Sequence, residues 1–296
     1  MELEFVTENV GYIPGPVNVG VVRRGGKAVV IDTGLDRDSG RSIKRVLEEQ
    51  GLEPAAIINT HSHADHFGGN DYLARNTGAT VYAPSVESGI IQNPILEPVY
   101  LFHGAAPIKN LRNKFVLAKP SPVHHILEHG SVTIEGMEVE VVPLQGHSLN
   151  QVGVLVEDVL FCADTVFSGR VIDKYRVPVV QDVGSHLATL ERLGETCHGL
   201  YVPSHTKPVD DIKPLVDRNL ETVRTIIADL LALLGEDKTA EELQSMLCTM
   251  YGLDLDVVQQ YYLIHTTVMA YLSHLHESDM VEIALQGNSL SWKRVR

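Results

Sequence analysis

Cysteine is scarce in this chain, and the three present, Cys162, Cys197 and Cys248, lie far apart and form no Cys-x-x-Cys pair. An odd, dispersed set of thiols excludes a disulfide framework and points to a reducing compartment. Basic residues are in deficit too, with 24 Lys plus Arg against 38 Asp plus Glu, a net charge of −14. A nucleic-acid binder needs a cationic face to neutralise phosphate, so nucleic acid is not an expected partner. No apolar run approaches the roughly 20 residues that span a bilayer. The acidic start Met1-Glu2-Leu3-Glu4 also lacks the cationic and then apolar pattern of a secretion signal. A cytoplasmic protein with no membrane association is therefore expected. At 296 residues, 44% hydrophobic and 21% charged, the chain suffices for one large globular domain plus a small one.

Histidine is what the chain has in concentration. Thr60-His61-Ser62-His63-Ala64-Asp65-His66 packs three imidazoles and a carboxylate directly after the apolar stretch Ala55-Ala56-Ile57-Ile58, which reads as a buried strand. One buried histidine is commonly satisfied by a neighbouring carbonyl, but three within six residues beside an Asp read as a metal site. Nitrogen and carboxylate donors suit zinc, iron or manganese, and this loop holds more of them than one ion needs. Further donors stand at other strand ends: His147 on the Gly turn Leu144-Gln145-Gly146-His147-Ser148, Asp164 closing Leu160-Phe161-Cys162-Ala163, and His205 after Tyr201-Val202-Pro203. In a layered α/β protein such ends converge on one rim.

The rest of the chain alternates strand, turn and helix, so the class is α/β. Val19–Val22 and Ala28–Ile31 read as a hairpin around Gly25-Gly26, followed by a helix from Ser39 to Glu49 and another from Asn70 to Asn76. Residues 87–127 break the rhythm with five prolines and no clean periodicity, and they put 81 positions between His66 and His147. A stretch that long is expected to be a lid or a homodimer contact. From Ile212 to Leu234 apolar residues recur at helical spacing, Thr239 and Glu242 form a capping box for a helix through Met250, and Asp256–His276 reads as a third helix. Val281-Ile283-Leu285, a Gly287-Asn288 turn, then Leu290 and Trp292 close the chain as a hairpin. The expected boundaries are a catalytic domain at 1–208 and a helical domain at 209–296.

The order His61-x-His63-x-Asp65-His66, then His147, Asp164 and His205, resembles the metallo-β-lactamase-fold hydrolases, as do Asp32-Thr33-Gly34 and Gly68-Gly69-Asn70. The resemblance covers roughly residues 5 to 208. It implies a four-layer αββα sandwich in which His61, His63 and His147 hold one metal, Asp65, His66 and His205 hold the other, and Asp164 bridges the two. The C-terminal helices and hairpin resemble the winged-helix appendage of some members. That segment carries 7 Lys plus Arg against 14 Asp plus Glu, a net of −7, with only Lys293, Arg294 and Arg296 as a small basic terminus. It therefore reads as a cover over the site or a dimerisation element, not a nucleic-acid module.

Two divalent ions about 3.5 to 4 Å apart share a water and lower its pKa toward ~7, giving hydroxide as nucleophile at neutral pH. Asp65 reads as ligand first and proton acceptor second. Asp32 is expected to accept hydrogen bonds from the ligand loop or a ligand imidazole. Its Asp-Thr-Gly is not an aspartic-protease mark, because the dyad needs a second copy and Asp164-Thr165 is followed by Val166. Lactamases of this fold commonly place Cys where Asp164 stands. The intact Asp and His66 resemble instead the glyoxalase II, lactonase and nuclease branches, although glyoxalase II usually has Gly-His-Thr at Gly146-His147-Ser148 and a glutathione-binding tail with no match here. Lys174, Tyr175 and Arg176 fall where glyoxalase-like relatives contact substrate. His124, His125, His129, His274 and His276 read as surface or structural, while His103 and His186 fall in segments near the mouth. The expected function is hydrolysis of a small-molecule thioester or cyclic ester by a metal-bridging hydroxide, with zinc the favoured ion. Phosphodiester cleavage and single-iron sulfur dioxygenation are the alternatives.

Overall fold

A computed structural model describes residues 2–295, so Met1 and, from the basic terminus, Arg296 lie outside the described residues. A seven-stranded sheet runs in chain order through β1 (Glu4–Phe5), β2 (Val10–Ile13), β3 (Val19–Arg24), β4 (Lys27–Ile31), β5 (Glu53–Ile58), β6 (Thr80–Pro84) and β7 (His125–Leu127). A five-stranded sheet has β8 (Gly130–Ile134), β9 (Met137–Pro143), β10 (Val152–Val156), β11 (Val159–Ala163) and β12 (Leu200–Pro203) in the order β12-β11-β10-β9-β8. The helices are α1 (Arg37–Glu49), α2 (Ala64–Phe67), α3 (Asn70–Thr77), α4 (Ser85–Gln92), α5 (Leu96–Leu101), α6 (Gly169–Tyr175), α7 (Val183–Gly194), α8 (Lys213–Leu233), α9 (Ala240–Tyr251) and α10 (Val258–Glu277). The chain ends in a hairpin, β13 (Val281–Gln286) and β14 (Ser289–Arg294).

The two-residue period of the strands divides their apolar side chains between two cores. Val29, Ile31, Ala56 and Ile58 face the second sheet and meet Val139, Val141, Val152, Val154 and Phe161. Their neighbours Ala28, Val30 and Ile57 turn the other way, onto Ile43, Val46 and Leu47 of α1 and Leu73 of α3. On the far side, Leu160, Cys162 and Tyr201 pack under Leu190 and Leu193 of α7 and Val216 and Leu220 of α8. Helix, sheet, sheet, helix is thus the layer order, each buried aliphatic contributing about 1.5–3 kcal/mol.

Helix α8 belongs to two cores at once. Val216 and Leu220 lie against the second sheet. Val223, Ile226 and Leu230, further along, join Leu243 and Leu247 of α9, Val268, Tyr271 and Leu275 of α10, and Trp292 of the hairpin. The capping box at Thr239 and Glu242 forms as the sequence predicts.

Two local readings change. Helix α1 begins at Arg37 because Asp36 caps it, accepting from the Asp38 and Ser39 N–H groups. Residues 87–127 are not irregular throughout: they hold most of α4, all of α5, a 3₁₀ turn at Lys109–Leu111 and edge strand β7, which places His125 in a strand. Helices of eight and six residues are too short to show a period, and Pro98 sits in the first turn of α5, where the missing N–H costs nothing.

Candidate metal centre

The C-terminal ends of β4, β5, β9, β11 and β12 share one rim, and every histidine and aspartate expected to ligate metal stands on a segment leaving it. Two of these exits use left-handed backbone at non-glycine residues, Asp32 at φ 59° and Ala163 at φ 47°. The register shifts between Phe161 and Ala163 where β11 pairs with β12, and that irregularity directs the next residue, Asp164, into the rim. Such conformations cost about 1–3 kcal/mol each and are found where a side chain must be aimed.

The loop after β5 turns sharply so that α2 can carry Asp65 and His66. Gly68 permits the turn, since a Cβ there would lie 1.9 Å from the Leu35 carbonyl oxygen. Beneath it the Thr33 hydroxyl donates to Asn70 Oδ1 at 2.8 Å, Asn70 donates to Asn59 Oδ1 at 2.6 Å, and the His66 carbonyl accepts from the Thr33 N–H at 2.7 Å. The Asp-Thr-Gly and Gly-Gly-Asn motifs are therefore two sides of one buried network. At the next exit Gly146 adopts φ 132°, and a Cβ would meet the His186 backbone at 2.4 Å.

Three groups of donors form, each with its ligand atoms within 4.8 Å of one another: His61 with His63 and His147, His61 with His66 and Asp164, and Asp65 with His66 and His205. His63 Nδ1 lies 3.1 Å from His61 Nε2 and 2.9 Å from His147 Nε2. Asp164 stands between the outer groups, with Oδ2 3.5 Å from His147 Nε2 and 3.1 Å from His205 Nε2, and Oδ1 3.4 Å from His66 Nε2. Asp65 is 3.6 Å from His205 Nε2 and 3.9 Å from His66 Nε2.

Four imidazoles have Nδ1 engaged and Nε2 turned inward. His66 Nδ1 meets Asp32 at 2.8 Å, His147 Nδ1 the Val179 carbonyl at 2.8 Å, His205 Nδ1 the Pro16 carbonyl at 2.7 Å, and His61 Nδ1 the Thr60 hydroxyl at 3.0 Å. That hydroxyl donates to Asp32, which also accepts from the Thr60 N–H. Occupying one ring nitrogen fixes which lone pair is presented.

Electrostatics divide the site. Burial, reinforced by neighbouring imidazoles, holds His61 well below the usual histidine value and His147 down to about 3. Burial also opposes charge on His66 and His205, but Asp164 outweighs it, raising His66 well above the ordinary value and His205 to about 9. Asp164 is correspondingly held well below the carboxylate range, since His205 and His66 overcome its burial. Two buried atoms, His66 Nε2 and Asp164 Oδ1, have no hydrogen-bond partner. Orphaned polar atoms of this kind, facing each other among imidazole and carboxylate donors, fit a cation.

Several residues at the rim carry no mark that their local sequence reveals. Glu87 of α4, only 1% exposed, accepts from the Ser62 N–H at 3.0 Å and the Ser62 hydroxyl, from the Ser148 hydroxyl at 2.8 Å and from the Asn150 N–H at 2.9 Å. Phe167 packs its ring between His147 and His205, at centroid distances of 5.7 and 6.3 Å. Asn219 of α8 clips that loop twice, accepting from the Phe167 N–H at 3.1 Å and donating to its carbonyl at 2.8 Å. Asn219 did leave a trace, a polar residue at core spacing between Val216 and Val223.

Lys174 donates to the Tyr175 hydroxyl at 3.0 Å, and Arg176 pairs with Asp173 at 3.8 Å. His124 Nδ1 accepts from the Val81 N–H, His125 stacks on Tyr82, and His186 is buried beneath Gly146. His103 faces His265 of α10, their centroids 5.1 Å apart. Among the described residues no helix is long and apolar enough to cross a membrane.

Known proteins share this arrangement. The Metallo-beta-lactamase superfamily profile matches residues 12–205. A hydroxyacylglutathione hydrolase of Shewanella pealeana is 32% identical over 146 residues, 47% of this chain and 44% of that protein, so the match spans less than half of the relative. A lactamase-like protein of Emericella nidulans is 23% identical over 87% of this chain and 77% of its own. Among solved structures, a metallo-beta-lactamase family protein from Thermus thermophilus superposes with a TM-score of 0.76 at 20% identity, covering 98% of this chain and 100% of that one. A beta-lactamase domain protein from Burkholderia ambifaria gives 0.76 at 18% identity over 99% and 93%. With a profile spanning about two thirds of the sequence and ending at the last histidine of the rim, the chain belongs to the metallo-beta-lactamase superfamily.

Proposed function

We propose that this protein is a binuclear metal-dependent hydrolase that cleaves a small-molecule thioester or ester. The observation that carries the reading is Asp164, one carboxylate within 3.5 Å of imidazole nitrogens from both outer donor groups. In this reading His61, His63 and His147 hold one ion, Asp65, His66 and His205 hold the other, and Asp164 is shared. Divalent ions so held, zinc first and iron or manganese next, acidify a water and polarise a carbonyl.

The chain's own residues do the rest. Asp65 has a side chain 38% exposed against 6% for Asp164, so it is the carboxylate open enough to take a proton from the attacking water. Asp32 holds His66 in the tautomer that turns Nε2 inward, and Phe167 excludes water from the side where the two donor groups meet. Residues 1–208 form the catalytic unit in this reading, with 209–296 as a winged-helix-like cover. The segment 87–127 acts as a lid, supported by the Gln181 to Tyr100 hydrogen bond and the Phe102 contact with Tyr262 of α10. The hydroxyacylglutathione hydrolase likeness favours thioesters, although glutathione itself has no recognisable tail to bind it here. Unpaired Cys162, Cys197 and Cys248 accord with a reducing, cytoplasmic setting.

Metal analysis of the purified protein, followed by turnover of thioester, lactone and bis-nitrophenyl phosphate substrates, tests the proposal. Two ions per chain and preference for the esters are expected. Rapid phosphodiester cleavage with none on esters would reverse the assignment.

A further inference from the structure

We propose that Glu87 is the positioning residue of His61, His63 and His147, clamping the two loops that carry these imidazoles. The inference rests on the binuclear reading above and deepens it. Ser62 lies between His61 and His63, and Ser148 directly follows His147. These two serines are 86 positions apart in the chain, yet both donate to the same carboxylate. Asn150 adds its backbone N–H to Glu87 and its side-chain amide to Ser85 Oγ at 3.1 Å, so the first turn of α4 grips the whole His147 turn.

Four donors converge on the two Glu87 oxygens at the first turn of α4, with no Lys or Arg among its partners in the described residues. The three imidazoles bring no charge of their own, whereas the other outer donor group includes Asp65. Asp32, also outside the ligand set, meets His66 directly and reaches His61 through the Thr60 hydroxyl, whereas the contacts beside His63 and His147 belong to Glu87. Groups behind a metal's ligands typically change its affinity about 10- to 100-fold. Because only Glu87 holds the His147 turn and only Asp32 meets His66, their effects separate at those two histidines.

The test titrates Zn²⁺ into metal-free full-length protein and follows the imidazole nitrogen resonances of each histidine by NMR. Glu87→Gln is expected to weaken the zinc response of His61, His63 and His147 about 10- to 100-fold while His66 and His205 respond as in the wild type. Asp32→Asn weakens the response of His66, and to a lesser degree that of His61 through Thr60, while His147 responds as in the wild type. Glu87→Asp keeps the charge and recovers part of the loss, and Ser148→Ala gives a smaller shift of the same kind, which serves if Glu87→Gln does not fold. Equal shifts in all five histidines, or none, in these variants overturn the assignment of Glu87 alone. A wild type that binds no zinc at these histidines overturns the hydrolase reading with it.

Discussion

The two outer donor groups of the rim both rely on imidazoles but differ in charge, three histidines in one against two histidines and Asp65 in the other. In the metal-free protein His61 and His147 are kept neutral by burial, while His66 and His205 are kept cationic against burial by Asp164. Carboxylates placed against imidazoles ask for positive charge, and without a metal protons supply it. Where only imidazoles meet, no proton is held, and the lone pairs stand ready for an ion. One rim thus combines a preformed neutral site with a proton-loaded one.

Removing what the two groups share should have the largest effect. Asp164→Ala is expected to lose the paired ions and to lower turnover at least about 100-fold, with the fold retained; metal counting and circular dichroism read the two parts, and undiminished turnover would contradict the shared role. Next comes Asp32→Asn, which should weaken metal affinity at His66 about 10-fold or more, and less at His61, which it reaches through Thr60, while sparing His147.

The charge difference predicts unlike pH responses. His205 is protonated up to about 9 in the folded protein, so metal must displace its proton, and affinity at that group should climb with pH until about 9. His147 is neutral above about 3, so affinity at its group should be nearly flat from neutral pH upward. Stability of the metal-free protein follows the same signs. The part contributed by protonated His205 is complete below 6.5 and is lost as pH rises through about 9. The part tied to neutral His147 is lost as pH falls from 6.5 toward about 3. Parallel pH profiles at the two groups, read by metal titration, would erase the distinction.

The smallest expected effect lies at Asn219→Ala. It leaves the Phe167 N–H and carbonyl without their side-chain partner and should cost about 1–3 kcal/mol in chemical denaturation. Because Phe167 touches a histidine from each group, metal affinity should drop modestly at both.

Much of the fold was legible where periodicity ran long enough. The continuous apolar runs of β4 and β5 and the long helical spacing of α8 and α10 declare themselves locally, because each pattern needs only neighbours in sequence. The 87–127 stretch hid α4 and α5, whose one or two turns leave no repeat to count. Glu87 was illegible for a related reason: an acidic residue in the first turn of a short helix is ordinary in sequence, and only packing against Ser62, Ser148 and Asn150 makes it exceptional.

Residue chemistry and spacing alone determined the α/β class, the strand ends that carry donors, and the histidine and aspartate set itself, because these follow from side-chain type and local geometry. Tertiary structure decided the rest: that Asp164 stands between two donor groups, that Asp32 and Glu87 meet the 60–66 loop from different elements, and which imidazoles are pushed toward or away from charge. Those properties depend on burial and on distances between residues tens to more than a hundred positions apart, which no local pattern encodes.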